Sequence, residues 1–361
     1  MIRVQRRGAQ SNRVAFLWAA AIIATVTGSA FAPIVGAAAH PETPFGKPAV
    51  SVASRRIVFQ THWYPQSQFA GYMMALEKGF FRREGVTNLE IRWSAAGQRP
   101  FDLLAEGKVD YCTGWLADAI VEKDRGLPLV NLAQVIPQSS LMLITWRQSG
   151  IDTPQKLTGK RVGLWGGNFD VPATAFFRKY GIRPIVVPQS TSMVPFLRGA
   201  VDVASAMHYN EYHKLIEAGV SPDELHSFRF ADHGFVFPED GIYCTAQTSA
   251  ERANVSAAVV RACRQGWEYA LANEAETLDV VMENCRAVNV RTNRNHQRWM
   301  LRSIRAAMRR PDSLQPVPWG SLSEAAYSEV VRLLLDQALI EEAPDFREFH
   351  RRTETAQGVR E

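Results

Sequence analysis

The sequence predicts an α/β protein of two lobes, each a mostly parallel sheet flanked by helices. Three observations carry this expectation. Strand-like and helix-like segments alternate from residue 57 to residue 218, the pattern of parallel strands joined by crossover helices. The alternation falls into two series that share a short repeat. An apolar helix around Leu104, a stop at Gly107 and Val109-Asp110 entering a strand are matched by Phe196, Gly199 and Val201-Asp202. After Gly241 one more strand-like run gives way to an almost wholly helical remainder.

Taken in order, the first series predicts strands over 57–63, 89–93, 109–113, 130–135 and 141–146, with helices over 69–78, 101–106 and 118–124. Gly79 and Gly107 supply the helix stops. The second predicts strands over 161–165, 184–187 and 201–206, with helices over 171–180, 194–197 and 211–218. A strand over 242–246 then leads into helices over 250–272, 275–285, 296–308 and 324–335. If that strand returns to the first sheet, lobe one is discontinuous, 55–144 with 242–350, and lobe two is 145–241. Crossing strands near Ile144 and Ile242 then form the hinge, and 351–361 is a tail.

At 361 residues the chain is long enough for two cores. Residues 1–39 read as a secretory signal: Arg3, Arg6, Arg7 and Arg13 precede an apolar run that ends in Ala37-Ala38-Ala39. A retained membrane anchor is the rival reading of that run, with Pro33 and its Gly and Ser content against it. Residues 40–54, with Pro41, Pro44 and Pro48, read as a flexible leader. The expected location is therefore the periplasm. Removing the four signal arginines leaves 37 basic against 36 acidic residues, so nothing favours nucleic acid as a partner. The four cysteines have no metal-ligand spacing; Cys112 and Cys244 are expected to be buried thiols, while a bridge between Cys263 and Cys285 is left open.

No catalytic constellation is present: the chain has no G-x-S-x-G, H-E-x-x-H, P-loop or G-x-G-x-x-G. His208, Glu211 and His213 are close in sequence, but the step of five residues turns His213 to another helix face, so neither a metal nor a cofactor is expected. The informative residues follow the C-terminal ends of predicted strands, where open α/β sheets bind ligands. Trp63, Tyr64, Gln66, Gln68 and Phe69 follow the first, and Trp115 follows the third. Trp165, Gly166, Gly167 and Asn168 open the loop after the strand at 161–165, and Tyr209 and Glu211 follow the strand at 201–206. Aromatic faces, amides and a carboxylate suit a flat nitrogen heterocycle. A sulfonate or nitrate, the alternative ligand, would ask for Arg, Lys or hydroxyl groups there.

The run Trp63-Tyr64-Pro65-Gln66, then Phe69-Ala70-Gly71-Tyr72 and Glu77-Lys78-Gly79-Phe80-Phe81, resembles the thiamine-precursor-type family of ABC-transporter solute-binding proteins. So does Leu157-Thr158-Gly159-Lys160-Arg161-Val162-Gly163 followed by Trp165-Gly166-Gly167. The resemblance implies the two-lobed type II periplasmic-binding-protein fold and a monomer that hands a small molecule to an inner-membrane ABC permease. A pyrimidine or thiamine precursor, or a flavin-like compound, is the implied ligand. It further implies an aromatic clamp around Trp63, backbone donors at Gly166 and Gly167, and an acid at Glu211 for a pyrimidine amine. Precursor-binding members usually carry His where Phe69 stands; a eukaryotic pyrimidine-forming synthase belongs to the same family, but neither its reactive His nor its cysteine-rich motif appears in this sequence, so binding without chemistry is expected. The same fold could serve a sensor instead of a transporter.

Overall fold

The structure is a computed structural model that describes residues 55–95, 97–309 and 318–351. These lie in the compact unit Ala49–Glu361. The expected signal and leader, and all of the tail except Arg351, fall outside the described residues.

Among the described residues ten strands form two five-stranded sheets. They are β1 Ile57–Gln60, β2 Leu89–Arg92, β3 Tyr111–Trp115, β4 Leu129–Gln134, β5 Leu141–Trp146, β6 Arg161–Leu164, β7 Ile185–Pro188, β8 Val203–Met207, β9 Leu225–Arg229 and β10 Asp240–Thr245. The sheet orders are β2-β1-β3-β10-β4 and β7-β6-β8-β5-β9. In the first sheet β1 runs parallel to β2 and β3, and β10 runs antiparallel to both β3 and β4. The second sheet repeats this, with β6 parallel to β7 and β8 and β5 antiparallel to β8 and β9. Each sheet thus has one reversed strand, next to one edge. The reason is connectivity. Four strands point their C-terminal ends at the space between the lobes, and the fifth arrives from the other lobe and runs away from that space.

The chain passes between sheets over 135–140 and returns over 230–239. The crossing expected at Ile144 is displaced, because β5 pairs with β8 and β9 along its length and belongs wholly to the second sheet. β9 was not expected at all. Its sequence LHSFR buries only Leu225 and Phe228 fully, so its apolar pattern is too thin to read as a strand. β1, by contrast, is buried throughout, as a central parallel strand should be.

The first core is built on the sheet, helix Ala70–Glu77 and the long helix Ala253–Ala272. Those two helices meet through glycines. A Cβ on Gly266 would stand 2.0 Å from the Gly71 carbonyl oxygen, and one on Gly71 would stand 2.2 Å from the Trp267 ring. All four cysteines are buried free thiols. Cys263 and Cys285 are not bridged; the Cys285 thiol instead donates to the Pro65 carbonyl at 3.1 Å, which ties down the loop after β1.

Candidate functional site

A cavity of about 260 Å³ opens between the C-terminal ends of the two sheets. The first lobe supplies His62, Trp63, Gln66, Gln68 and Trp115, and the second supplies Trp165, Phe169, Gln189, Ser190, Thr191, Met207 and Tyr209 to Glu211.

The loop from Thr61 to Phe69 is held rigid by its own polar groups. Thr61 donates its hydroxyl to the Trp63 carbonyl at 2.7 Å, and the Ser67 N–H donates to Gln297 Oε1 at 2.7 Å. Gln66 Nε2 donates to Gln68 Oε1 at 2.6 Å, and Gln68 Nε2 donates to Asp240 Oδ2 at 2.9 Å. This chain orients both amides and commits the Gln66 amino group inside the protein. His62 lies between Thr113 Oγ1, 2.7 Å from Nδ1, and Asp240 Oδ1, 3.4 Å from Nε2. Burial holds its imidazole neutral, with a pKa lowered to about 3. Tyr64 does not reach the cavity wall and packs beside Trp63, ring centres 5.1 Å apart. Phe69 has no exposed surface; it packs edge-on against His62 and beside Tyr72, so it supports the wall from the core.

On the second lobe, Phe169 stands edge-on to Trp115 at 4.6 Å and to Trp165 at 6.1 Å, so the aromatic surface runs across both lobes. Gly166 and Gly167 carry positive φ and shape the turn, but they lie outside the wall, and the Gly166 N–H is already given to Asp170 Oδ1 at 2.9 Å. Asn168 reaches across the cleft instead, donating to Asp118 Oδ1 at 2.6 Å. Glu211 is buried at the start of its helix, where Oε2 accepts the Met207 N–H at 3.1 Å and Oε1 accepts Asn210 Nδ2 at 2.7 Å. Its pKa is raised, chiefly by burial.

Sequence reasoning passed over Phe169, Gln189, Ser190, Thr191, Met207 and Asn210. Gln189 carried a signal only in hindsight. Its amide pairs in both directions with the Ser205 backbone, over Gly163, where a Cβ would stand 2.3 Å from its oxygen. The three residues weighed as a metal cluster separate: His208 stacks on Tyr212, Glu211 faces the cavity, and His213 turns toward His296.

The sequence profile described as NMT1/THI5 like matches residues 66–277, more than half of the chain. The chain belongs to the NMT1/THI5-like family. Within reach of this family it is 23% identical over 284 residues to the formylaminopyrimidine-binding protein of Halalkalibacterium halodurans, covering 75% of this chain and 82% of that one. It is 24% identical to the 4-amino-5-hydroxymethyl-2-methylpyrimidine phosphate synthase of Schizosaccharomyces pombe, but over only 37% of this chain and 38% of that enzyme. Its structure is similar to that of the periplasmic aliphatic sulphonate binding protein SsuA from Escherichia coli, with a TM-score of 0.64 at 13% identity, covering 82% and 97% of the two chains. A Candida albicans protein with the generic periplasmic binding protein fold gives 0.58 at 13% identity, covering 85% and 99%. This NMT1/THI5-like chain therefore has the two-lobed periplasmic-binding-protein fold. Among its described residues no helix is long and apolar enough to cross a membrane.

Proposed function

We propose that the protein is the periplasmic solute-binding component of an ABC importer, capturing a single-ring nitrogen heterocycle of the aminopyrimidine class and releasing it unchanged to an inner-membrane permease. One observation carries the reading: the cavity wall holds five aromatic side chains, several amides, a buried carboxylate and the two hydroxyl residues Ser190 and Thr191, and no Lys or Arg. A flat ring stacks on such walls, and its amine donors meet the Gln66 carbonyl and the Glu211 carboxylate. A sulfonate or nitrate would face the Glu211 carboxyl, and the nearest cation, Lys214, lies outside the wall and is paired with Glu211 at 3.5 Å. At about 260 Å³ the cavity lies just below the roughly 300–1,000 Å³ usual for ligand pockets, which favours one ring over a tricyclic flavin. The name of the Halalkalibacterium relative points to the same ligand class.

A thermal-shift and calorimetry panel of aminopyrimidines, thiamine, riboflavin, alkanesulfonates and nitrate tests this. An aminopyrimidine at a hundredfold excess over Kd should stabilise the fold by about 2.7 kcal/mol. Trp63→Ala should cost on the order of 1–3 kcal/mol of affinity for every flat ligand. Stabilisation by the anions alone would overturn the assignment.

A further inference from the structure

On the rim of the cleft, away from the aromatic wall, His213, Glu217 and His296 bring one ligating atom each within 4.8 Å of one another. His213 and Glu217 lie one turn apart on helix Glu211–Glu217, which follows β8 of the second sheet. His296 lies on helix Arg294–Ala307, which packs on the Ser67–Phe69 turn of the first lobe. We propose that these three side chains form a binding site for a divalent transition-metal ion of the zinc class, and that the ion bridges the two lobes.

The hydrogen bonds around the trio fix which atoms are available. Asn210 gives its Nδ2 to Glu211, so its Oδ1 is the acceptor for His296, whose Nε2 lies 3.1 Å away. The His296 proton is therefore on Nε2, and the lone pair on Nδ1 points at His213 Nδ1, 2.9 Å away. Two imidazole nitrogens bound to one tetrahedral ion at about 2.0–2.1 Å stand roughly 3.3 Å apart, a few tenths of an ångström more than in this structure. Glu217 is held in the same way. Its Oε1 accepts Asn293 Nδ2 at 2.7 Å, leaving Oε2 3.4 Å from His296 Nδ1. Asn293 is itself fixed, because its Oδ1 caps the helix by accepting the His296 N–H at 2.9 Å.

Trp299 stacks on His213 at 4.8 Å and restricts its rotation. Two imidazoles and a carboxylate leave a fourth position open, the pattern of zinc sites that keep an exchangeable ligand, and the half-exposed Glu217 gives the ion a path in. Partner groups that orient ligating imidazoles in this way commonly change metal affinity 10–100-fold when removed.

The test is a titration of chelator-stripped, tag-free protein with Zn²⁺ against a chromophoric competitor, repeated with Co²⁺ to read the visible spectrum of the site. Wild type should take up one equivalent and show the intense absorption of a low-coordinate Co²⁺ centre. His296→Gln and Glu217→Gln should each weaken binding at least 100-fold, while melting like wild type in chelator. Hydrogen exchange in 211–217 should slow on Zn²⁺ addition in wild type and not in His296→Gln. No uptake by wild type, or affinity in both variants within threefold of wild type, would overturn the site. Uptake lost with Glu217→Gln but retained with His296→Gln would overturn the bridge. None of these readings requires the organic ligand.

Discussion

At the scale of single residues, two acids behind the cavity wall stand out. Glu239 and Asp240 are adjacent and both fully buried. Ser139 Oγ and the Ser140 N–H donate to Glu239 Oε1, and Gln68 donates to Asp240. Burial first, and then the neighbouring Asp240, raises the Glu239 pKa from 4.5 to about 8; burial raises Asp240 from 3.8 to about 7. Between these unfolded and folded values the native state binds more protons than the unfolded chain. The stability the two acids contribute is therefore complete at acid pH and falls as pH rises toward 8. Buried histidines, His62 and His208 among them, contribute the opposite slope over part of this range, so the acids are read by difference: the urea midpoint of Glu239→Gln should rise relative to wild type as pH goes from 5 to 8. A constant difference across that range would remove Glu239 as a source of the slope. These acids were not legible in the sequence, because Pro238-Glu239-Asp240 reads as a polar turn until β10 is seen to carry it inside. That Trp63, Gln66, Gln68, Trp115, Trp165, Tyr209 and Glu211 line the cavity was legible because large rings and amides at strand ends have little folding role of their own. Phe69 was misplaced for the opposite reason: an aromatic at a helix start can equally well be core, and here it is.

At the scale of elements, periodicity located nearly every helix and strand of the described residues to within a few positions. It failed where an element draws its stability from a neighbour. β9 is such a case, and so is the break at Arg252, where the expected helix over 250–272 divides into Ala246–Glu251 and Ala253–Ala272. The packing of Ala70–Glu77 on Ala253–Ala272 was invisible for a related reason, since a glycine in a helix announces a loss of propensity and not what comes close to it. Gly266→Ala would gain helix propensity locally, yet its methyl group would overlap the Gly71 carbonyl and Ala75. The contact should win, with a net loss of about 1–3 kcal/mol on thermal or chemical unfolding. Equal or greater stability in that variant would show that the two helices can separate without cost.

At the scale of the whole molecule, the two-lobe plan was legible from alternation and the matched Gly stops, whereas the crossing points were not, because a strand's sheet membership is decided by pairing rather than by its own residues. The lobes meet through more than the cavity. Asn168 to Asp118, Trp299 Nε1 to the His208 carbonyl, and Gln337 Nε2 to the Val171 carbonyl all cross between them. The reversed strand β10 has a consequence for the order of assembly. It sits between β3 and β4, so Ile242 must find Thr113 across about 130 residues of intervening chain. Every pairing in the second sheet closes within a stretch running only from β5 to β9. Closing the longer loop is entropically costlier and slower. During synthesis, β1 to β4 emerge first but wait with a gap in their sheet until the second lobe has been made. Pulse-labelled refolding should therefore protect β5 and β8 amides before those of β3 and β10, making the lobe that begins the chain the last to be finished.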